Sequence, residues 1–275
     1  MPGSALLGID TKPIEEETVH KTIGSGILAI NIDTIINLFI VCAIFLAIVL
    51  VVRRQLQRDR PGRLQVILEM VIDFVNGLIR DTLGTKPINI GPLAISLFTF
   101  LLLANWIGLI PFLFFKSPYV FKSPTNDINF TLALALMSIV LLHVYSVRFR
   151  TFRGYIRHYF SVVTPRWFGP WGWTRVLFAF LELIQEVSRP ITLSFRLYFN
   201  IFVGELMLVL IITLLSFASV IAGPVWLGFS IFIGAVQAFI FTMLTIAYIA
   251  MGTEVAHDNE EEQTSRPAEG AVAHG

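Results

Sequence analysis

Ser188-Arg189-Pro190-Ile191-Thr192-Leu193-Ser194-Phe195-Arg196-Leu197-Tyr198-Phe199-Asn200, with Gly204-Glu205 just beyond, decides how the whole sequence reads. These residues lie inside Phe178–Phe217, about 40 mostly apolar residues that also hold Glu182 and Glu186. As one helix the stretch is roughly 60 Å long, about twice the thickness of the hydrocarbon core of a bilayer. Two spans with a hidden turn, one span with a helical extension, and one strongly tilted helix all fit that length. Ser188-Arg189-Pro190 is the one breaker in the stretch, and a proline bends a helix without having to end it. The expectation is one long, steeply tilted or bent helix that begins at the inner surface.

Charges in such a helix are expensive. An arginine at mid-membrane costs on the order of 2.5–3.5 kcal/mol on insertion scales. Arg196 is flanked by Leu193, Phe195, Leu197 and Phe199, and its guanidinium does not lose its proton in a protein. It is a fixed positive charge. The bland alternative is an arginine paired for stability with Glu182, Glu186 or Glu205. At about 100° per residue, Arg189 and Asn200 fall within roughly 40° of Arg196, whereas Glu205 lies about 180° away. Arg196 and Glu205 therefore do not pair on a straight helix. Glu182 sits about 40° off the arginine stripe, near the inner end. One carboxylate, a fixed cation, and a second carboxylate on the opposite face suit two polar pathways held apart by that cation.

The rest of the chain agrees that lipid is its main solvent. Of 275 residues, 55% are hydrophobic and 14% charged, against about 25% charged in soluble domains. The mean hydropathy is +0.75. A net charge of +1 gives no pull towards nucleic acid. The single cysteine, Cys42, excludes an intrachain disulfide framework and any cysteine-rich metal site. No cofactor is expected, and no phosphate cradle of the GxxxxGK type is present, so no catalytic site for ATP is expected either. Residues 1–26 form a polar N-terminal segment without the basic start and apolar core of a signal peptide. Residues 27–252 read as a single multi-span membrane domain, and residues 253–275 as a polar, acidic, disordered tail.

Within the membrane domain the first span is Thr34–Val52, closed by Arg53-Arg54. Leu64–Asp81 has apolar residues at helical spacing broken by Glu69, Asp73 and Arg80, as a helix lying at the interface would. Further spans are expected at Pro92–Phe115 and Ile128–Val147, followed by a basic loop from Arg148 to Arg166. Gly223-Pro224 is the best turn between Phe178–Phe217 and the charge-free Ala218–Gly252. Gln237 then falls at the depth of Arg196 to Glu205, where its amide can bridge them. The basic loops orient the chain with the N-terminus outside, five crossings and a cytoplasmic C-terminus.

At this point the residues are familiar. The arginine block resembles the signature of subunit a of the F-type rotary ATP synthases. Asn31-Ile32-Asp33-Thr34, Ala104-Asn105-Trp106-Ile107-Gly108-Leu109-Ile110-Pro111 and Ser123-Pro124-Thr125-Asn126-Asp127 support it, and the likeness covers roughly residues 30–250. The resemblance implies an all-α integral membrane protein: one N-terminal span, an interfacial amphipathic helix, a two-span hairpin, and two long tilted helices forming a C-terminal hairpin. It implies an ion-translocating, most simply proton-translocating, subunit with two offset half-channels. Arg196 would be the fixed charge facing the carboxylate of a ring of c subunits. Glu205, Asn200 and Gln237 would line the outer half-channel, Glu182 the inner one, and Asp33 and Asp127 the outer mouth. Other implied partners are b-type peripheral stalk subunits, the rest of the ATP synthase and the lipid of a bacterial plasma (inner) membrane. The sequence departs from the pattern at Phe199, where the family usually has a small residue, and at Ser230, where some members carry a histidine relay. His143, on another span, reads as a packed, hydrogen-bonded side chain. The rival reading is a stand-alone secondary ion-coupled transporter, which calls for inverted repeats that the sequence does not display.

Overall fold

The structure is a computed structural model that describes residues 22–23, 30–55, 62–84, 89–109, 122–161, 172–214 and 219–265. Side chains are described except at 22–23, 30, 55, 149–161, 172–176, 178–179, 182 and 252–265.

Among the described residues, six α-helices carry the fold. They are α1 (Ile32–Gln55), α2 (Arg63–Leu83), α3 (Gly91–Ile107), α4 (Ile128–Ser161), α5 (Gly172–Leu214) and α6 (Ser219–Ser265). Their ends follow local chemistry. Asp33 opens α1 and Arg53 and Arg54 close it, complementing the helix dipole. Gly84, at φ 61°, ends α2 in a left-handed conformation and donates its N–H to the Arg80 carbonyl at 2.9 Å. Pro92 occupies the first turn of α3. Asp127 caps α4, accepting the Asn129 N–H on its carboxylate at 2.9 Å.

Four of these helices are long and apolar enough to cross a membrane, over Ile32–Arg54, Ile128–Arg148, Leu183–Leu214 and Ser219–Met251. α3 is a shorter apolar helix of 17 residues. The chain is thus an all-α multi-pass membrane protein, apart from a two-residue antiparallel ladder between β1 (Thr22–Ile23) and β2 (Ile30–Asn31). Sequence expected five crossings; the second of them, Pro92–Phe115, is helical only to Ile107 among the described residues, and 110–121 lie outside them.

Three further expectations are corrected. The helix beginning at Ile128 runs through the basic stretch to Ser161 instead of yielding to a loop at Arg148. α6 continues to Ser265 through residues assigned to a disordered tail. In both cases the helix already exists, so each added residue needs only propagation and no new nucleus. Residues 253–265 contain neither Gly nor Pro and include four Glu, a good helix former. Finally, Gly223 and Pro224 lie within the second turn of α6, which is already helical from Ser219, and not at a break between the two helices. Pro224 removes one backbone donor near the helix start, which that region tolerates better than the interior. α5 is one unbroken helix of 43 residues with Pro190 inside it.

α6 is the centre of the bundle, packed against α2, α3, α4 and α5, while α1 packs on α3. The main core joins Leu97, Phe98 and Leu101 of α3 to Leu193 and Leu197 of α5 and Phe241 and Ile246 of α6. Phe74 of α2 meets Phe98 and Phe239, each at 5.7 Å between ring centres. A second, small cluster seats Val41 of α1 on Ala104 and Ile107. Lipid tails are as apolar as leucine, so helix association in lipid leans on close packing and polar links. Asn105, 1% exposed, supplies two such links. Its Nδ2 donates to the Gly234 carbonyl at 2.9 Å, and its Oδ1 accepts the Thr125 hydroxyl at 2.9 Å. Trp106 donates to the Ile231 carbonyl at 3.0 Å. Thr245 donates to Ser138 at 3.1 Å, and Thr131 and Ser194 share a proton across 3.0 Å.

Asn105→Leu should lose about 1–2 kcal/mol of stability, because it removes the donor to the Gly234 carbonyl and leaves the Thr125 hydroxyl only its contact with Ser123. A lowered apparent Tm of the detergent-solubilised chain checks this; an unchanged Tm would show the links to be dispensable.

Candidate functional site

The site is built where α3, the residues before α4, α5 and α6 converge. Residues 123–127 form a wholly buried polar stretch, with a 3-10 turn at Pro124–Asn126. The Ser123 hydroxyl caps that turn, accepting the Thr125 N–H at 3.3 Å, and also donates to the Ala104 carbonyl at 2.7 Å. Glu205 of α5, only 2% exposed, points into this stretch. Its Oε2 accepts the Asn126 side-chain amide at 2.7 Å and its Oε1 accepts the Ser123 N–H at 3.3 Å. Gly108 makes the approach possible: a β-carbon there would collide with Glu205 Oε1 and crowd the Ser123 backbone.

Asp127, 5% exposed, closes the same stretch on the other side. Its Oδ2 accepts the Asn31 amide at 2.6 Å and the Thr34 hydroxyl at 2.8 Å, both from the start of α1. Asp33 stands in the first turn of α1, next to Thr34. The structure thus gathers Glu205 and Asp127 around five consecutive residues, with Asp33 nearby in sequence to an Asp127 ligand.

Beside Glu205 lies a cavity of about 450 Å³. Its polar lining is Asn105, Asn200, Glu205 and Ser230, set among apolar groups such as Phe199 and Trp226. The Trp226 indole donates to the Gly204 carbonyl at 3.1 Å, holding α6 against α5 at this level. The Ser230 hydroxyl is buried without a hydrogen-bond partner. Asn200 Nδ2 reaches Gln237 Oε1 at 3.5 Å, and Gln237 Nε2 is buried and unpartnered. Gln237 therefore faces Asn200 instead of bridging Arg196 and Glu205: its position on α6 brings it level with the residue one turn beyond the arginine.

Arg196 stands apart from all of these. It is exposed, on the same outer face of α5 as Phe195, Phe199 and Val203. Among the described residues it makes no ion pair. Nine residues separate it from Glu205, and on an unbroken helix that rotation turns one side chain outward and the other inward. Glu182 lies on α5, but its side chain is outside the described residues. The carboxylate that is described on the inner part of α5 is Glu186, whose Oε2 accepts from Arg189 at 2.9 Å. His143 Nε2 lies 3.5 Å from Glu186 Oε1, and the His143 side chain is 39% exposed, so it is less enclosed than its sequence context implies. The Arg189 guanidinium sits 5.8 Å over the Tyr248 ring. Among the described residues no group of three or more His, Cys, Asp or Glu is placed to hold a metal ion.

Sequence reading passed over Ser123, Asn126 and Gly108 as site residues. They lie in the blocks that carry the family likeness, and only the fold places those blocks against Glu205. A family model described as ATP synthase A chain matches residues 35–250. The chain belongs to that family. Subunit a of Listeria monocytogenes ATP synthase is 39% identical over 229 residues, covering 80% of this chain and 91% of that protein. The Desulforamulus reducens subunit a is 34% identical over 229 residues, covering 81% and 80%. That of Aeromonas salmonicida is 34% identical over 244 residues, covering 86% and 92%. All three relatives are bacterial, and this family member, like its sequence, is a multi-pass membrane protein.

Gly108→Ala should push Glu205 or the Ser123 backbone aside and cut ATP-driven ion pumping by about tenfold or more, because the displaced carboxylate loses its hydrogen bonds to Ser123 and Asn126. The check is pumping in inverted membrane vesicles at matched subunit content; wild-type pumping would mean that the close approach of Glu205 to residue 108 is not used.

Proposed function

We propose that this chain is the membrane-embedded, ion-translocating subunit of an F-type ATP synthase, with the proton as its ion. Two offset half-channels meet a ring of c subunits on either side of Arg196. In this reading α1 is the N-terminal span, α2 the interfacial amphipathic helix, α3 and α4 the two-span hairpin, and α5 and α6 the tilted helices along the ring. The N-terminus is outside and the C-terminus cytoplasmic, b-type peripheral stalk subunits hold the chain against rotation, and no nucleic acid is involved. The observation that carries the reading is an arginine on the exposed face of a membrane-length helix, without an ion pair among the described residues, while Glu205 is buried on the opposite face beside a cavity. An unpaired cation facing lipid is costly. A partner carboxylate facing it removes the cost.

The mechanism follows from charge and dielectric. A ring carboxylate surrounded by lipid holds its proton, because the anion is strongly disfavoured there. Opposite the Arg196 guanidinium the anion is favoured, so the proton leaves by the inner path past Glu182. The emptied site is reloaded by the outer path, from Asp33 and Asp127 at the mouth through Glu205, Asn200 and Gln237, and then turns into lipid. The fixed cation also repels protons and so blocks a direct leak between the two paths. Each charge crossing a potential of 100 mV yields about 2.3 kcal/mol, so several are needed to make one ATP.

Two substitutions test this. Arg196→Ala should abolish ATP-driven pumping and ATP synthesis while the complex still assembles; coupled pumping by that variant would refute the role of the charge. Glu205→Gln should slow pumping about tenfold or more and alter its dependence on pH, since a relay carboxyl is removed. An unaltered rate and pH profile would take Glu205 out of the path.

A further inference from the structure

Three residues on three turns of the bundle form a polar group that the scheme above leaves unused. Glu186 and Arg189 lie on α5, and His143 faces them from α4. Arg189 engages Glu186 Oε2 at 2.9 Å, and the Glu186 side chain is 13% exposed. Glu186 Oε1 is buried and makes no hydrogen bond; His143 Nε2 lies 3.5 Å from it. A buried acceptor without a hydrogen bond is unusual in a folded chain. Pro190 adds a second free acceptor at the same spot, because it has no N–H to give to the Glu186 carbonyl four residues earlier. The group therefore offers two lone-pair sites and an imidazole in one place.

Its position is informative. His143 precedes Arg148, the first of the basic residues taken to face the cytoplasm, by five residues, about 7.5 Å along the helix. Glu186 precedes Arg196 by ten residues, about 15 Å along α5. The pair thus lies between the fixed charge and the inner surface. Among the described residues, the charged and titratable groups around Glu186 are Arg189 on its own helix, His143 from α4, and Tyr248 from α6, whose ring lies under Arg189.

We propose that Glu186 and His143 are the proton-exchange pair at the inner end of the release path, an assignment that rests on the reading above. A proton arriving on Glu186 Oε1 passes to His143 Nε2, leaving a carboxylate held by Arg189 and an imidazolium. The imidazolium then gives a proton to water at the inner surface. In the reverse direction His143 captures a proton from water and returns it. Imidazole is the one side chain whose unperturbed range spans neutral pH, so it captures protons where a carboxylate alone is nearly always empty. Arg189 is a positioning residue: by occupying Oε2 it leaves Oε1 for the exchange.

The experiment is ATP-driven acidification of inverted vesicles carrying the assembled synthase, followed against the pH of the medium, which is the former cytoplasmic side. His143→Gln should pump about threefold or more slowly than wild type near about pH 8 and close to wild type near about pH 6, where protons are plentiful. Glu186→Asp should keep the shape of the wild-type profile, and Glu186→Gln should be slow throughout. A His143→Gln profile parallel to wild type at every pH would overturn the proposal and leave the pair a structural contact. His143 is partly exposed, so its variant tests the point even where Glu186→Gln assembles poorly. Arg196→Ala in the same membranes separates the two readings: if it is inactive while the His143→Gln profile is parallel, only the exchange pair falls.

Discussion

A single unbroken helix cannot point residues 196 and 205 the same way. That rotational constraint on α5 governs everything around it. With Arg196 outward, Glu205 must be inward, and an inward carboxylate in an apolar bundle needs donors that come from elsewhere in the chain. The donors are the Asn126 amide and the Ser123 N–H. Continuity through Pro190 extends the same phase to the inner end: a break there would leave Arg196 and Glu205 opposed but free the inner carboxylate from any fixed angle to them.

The 123–127 stretch is the second half of the same logic. It has no long helix of its own, yet the Ser123 and Thr125 hydroxyls, the Asn126 amide N–H and the Asp127 carboxylate are each engaged, and only Asn126 Oδ1 among its buried side-chain atoms lacks a partner. Asn105 fastens it to α6 through the Gly234 carbonyl, and Gly234 lets α3 come close: a β-carbon there would lie 3.3 Å from Asn105 and from Trp106. Gly108 does the same for Glu205. Small residues bring the backbones together, and the shared polar atoms then fix the register.

The helices of the fold were legible from apolar length and charge spacing, and the arginine block alone pointed to the family. Residue 188–205 rotation was also readable, because helical phase is set by counting. What counting does not supply is which loop meets which helix. Ser123 and Asn126 are separated from Glu205 by 82 and 79 residues, and nothing local in sequence ties them. Helix ends were misread for a related reason. Composition described the basic stretch after Val147 and the acidic one after Gly252 as loop and tail, but a helix already formed extends cheaply through polar residues. Gly223-Pro224 looked like a turn because that dipeptide breaks a helix in its interior, but α6 begins at Ser219, which places the dipeptide near the helix start.

Asp127 ties three parts of the chain together. Its carboxylate caps α4 and also accepts Asn31 and Thr34, so the first span is tied to the stretch that holds Glu205. All three donors converge on one side chain, and two of them on one oxygen, Oδ2. A group so fully engaged is well suited to fixing geometry: moving a proton onto Oδ2 disturbs the contact that seats α1. Glu205, by contrast, borders a cavity with the unpartnered Ser230 hydroxyl in its wall. Of the two carboxylates on this stretch, the one beside open space is the better placed to exchange a proton, and the one locked by three donors is the better placed to hold its neighbours still.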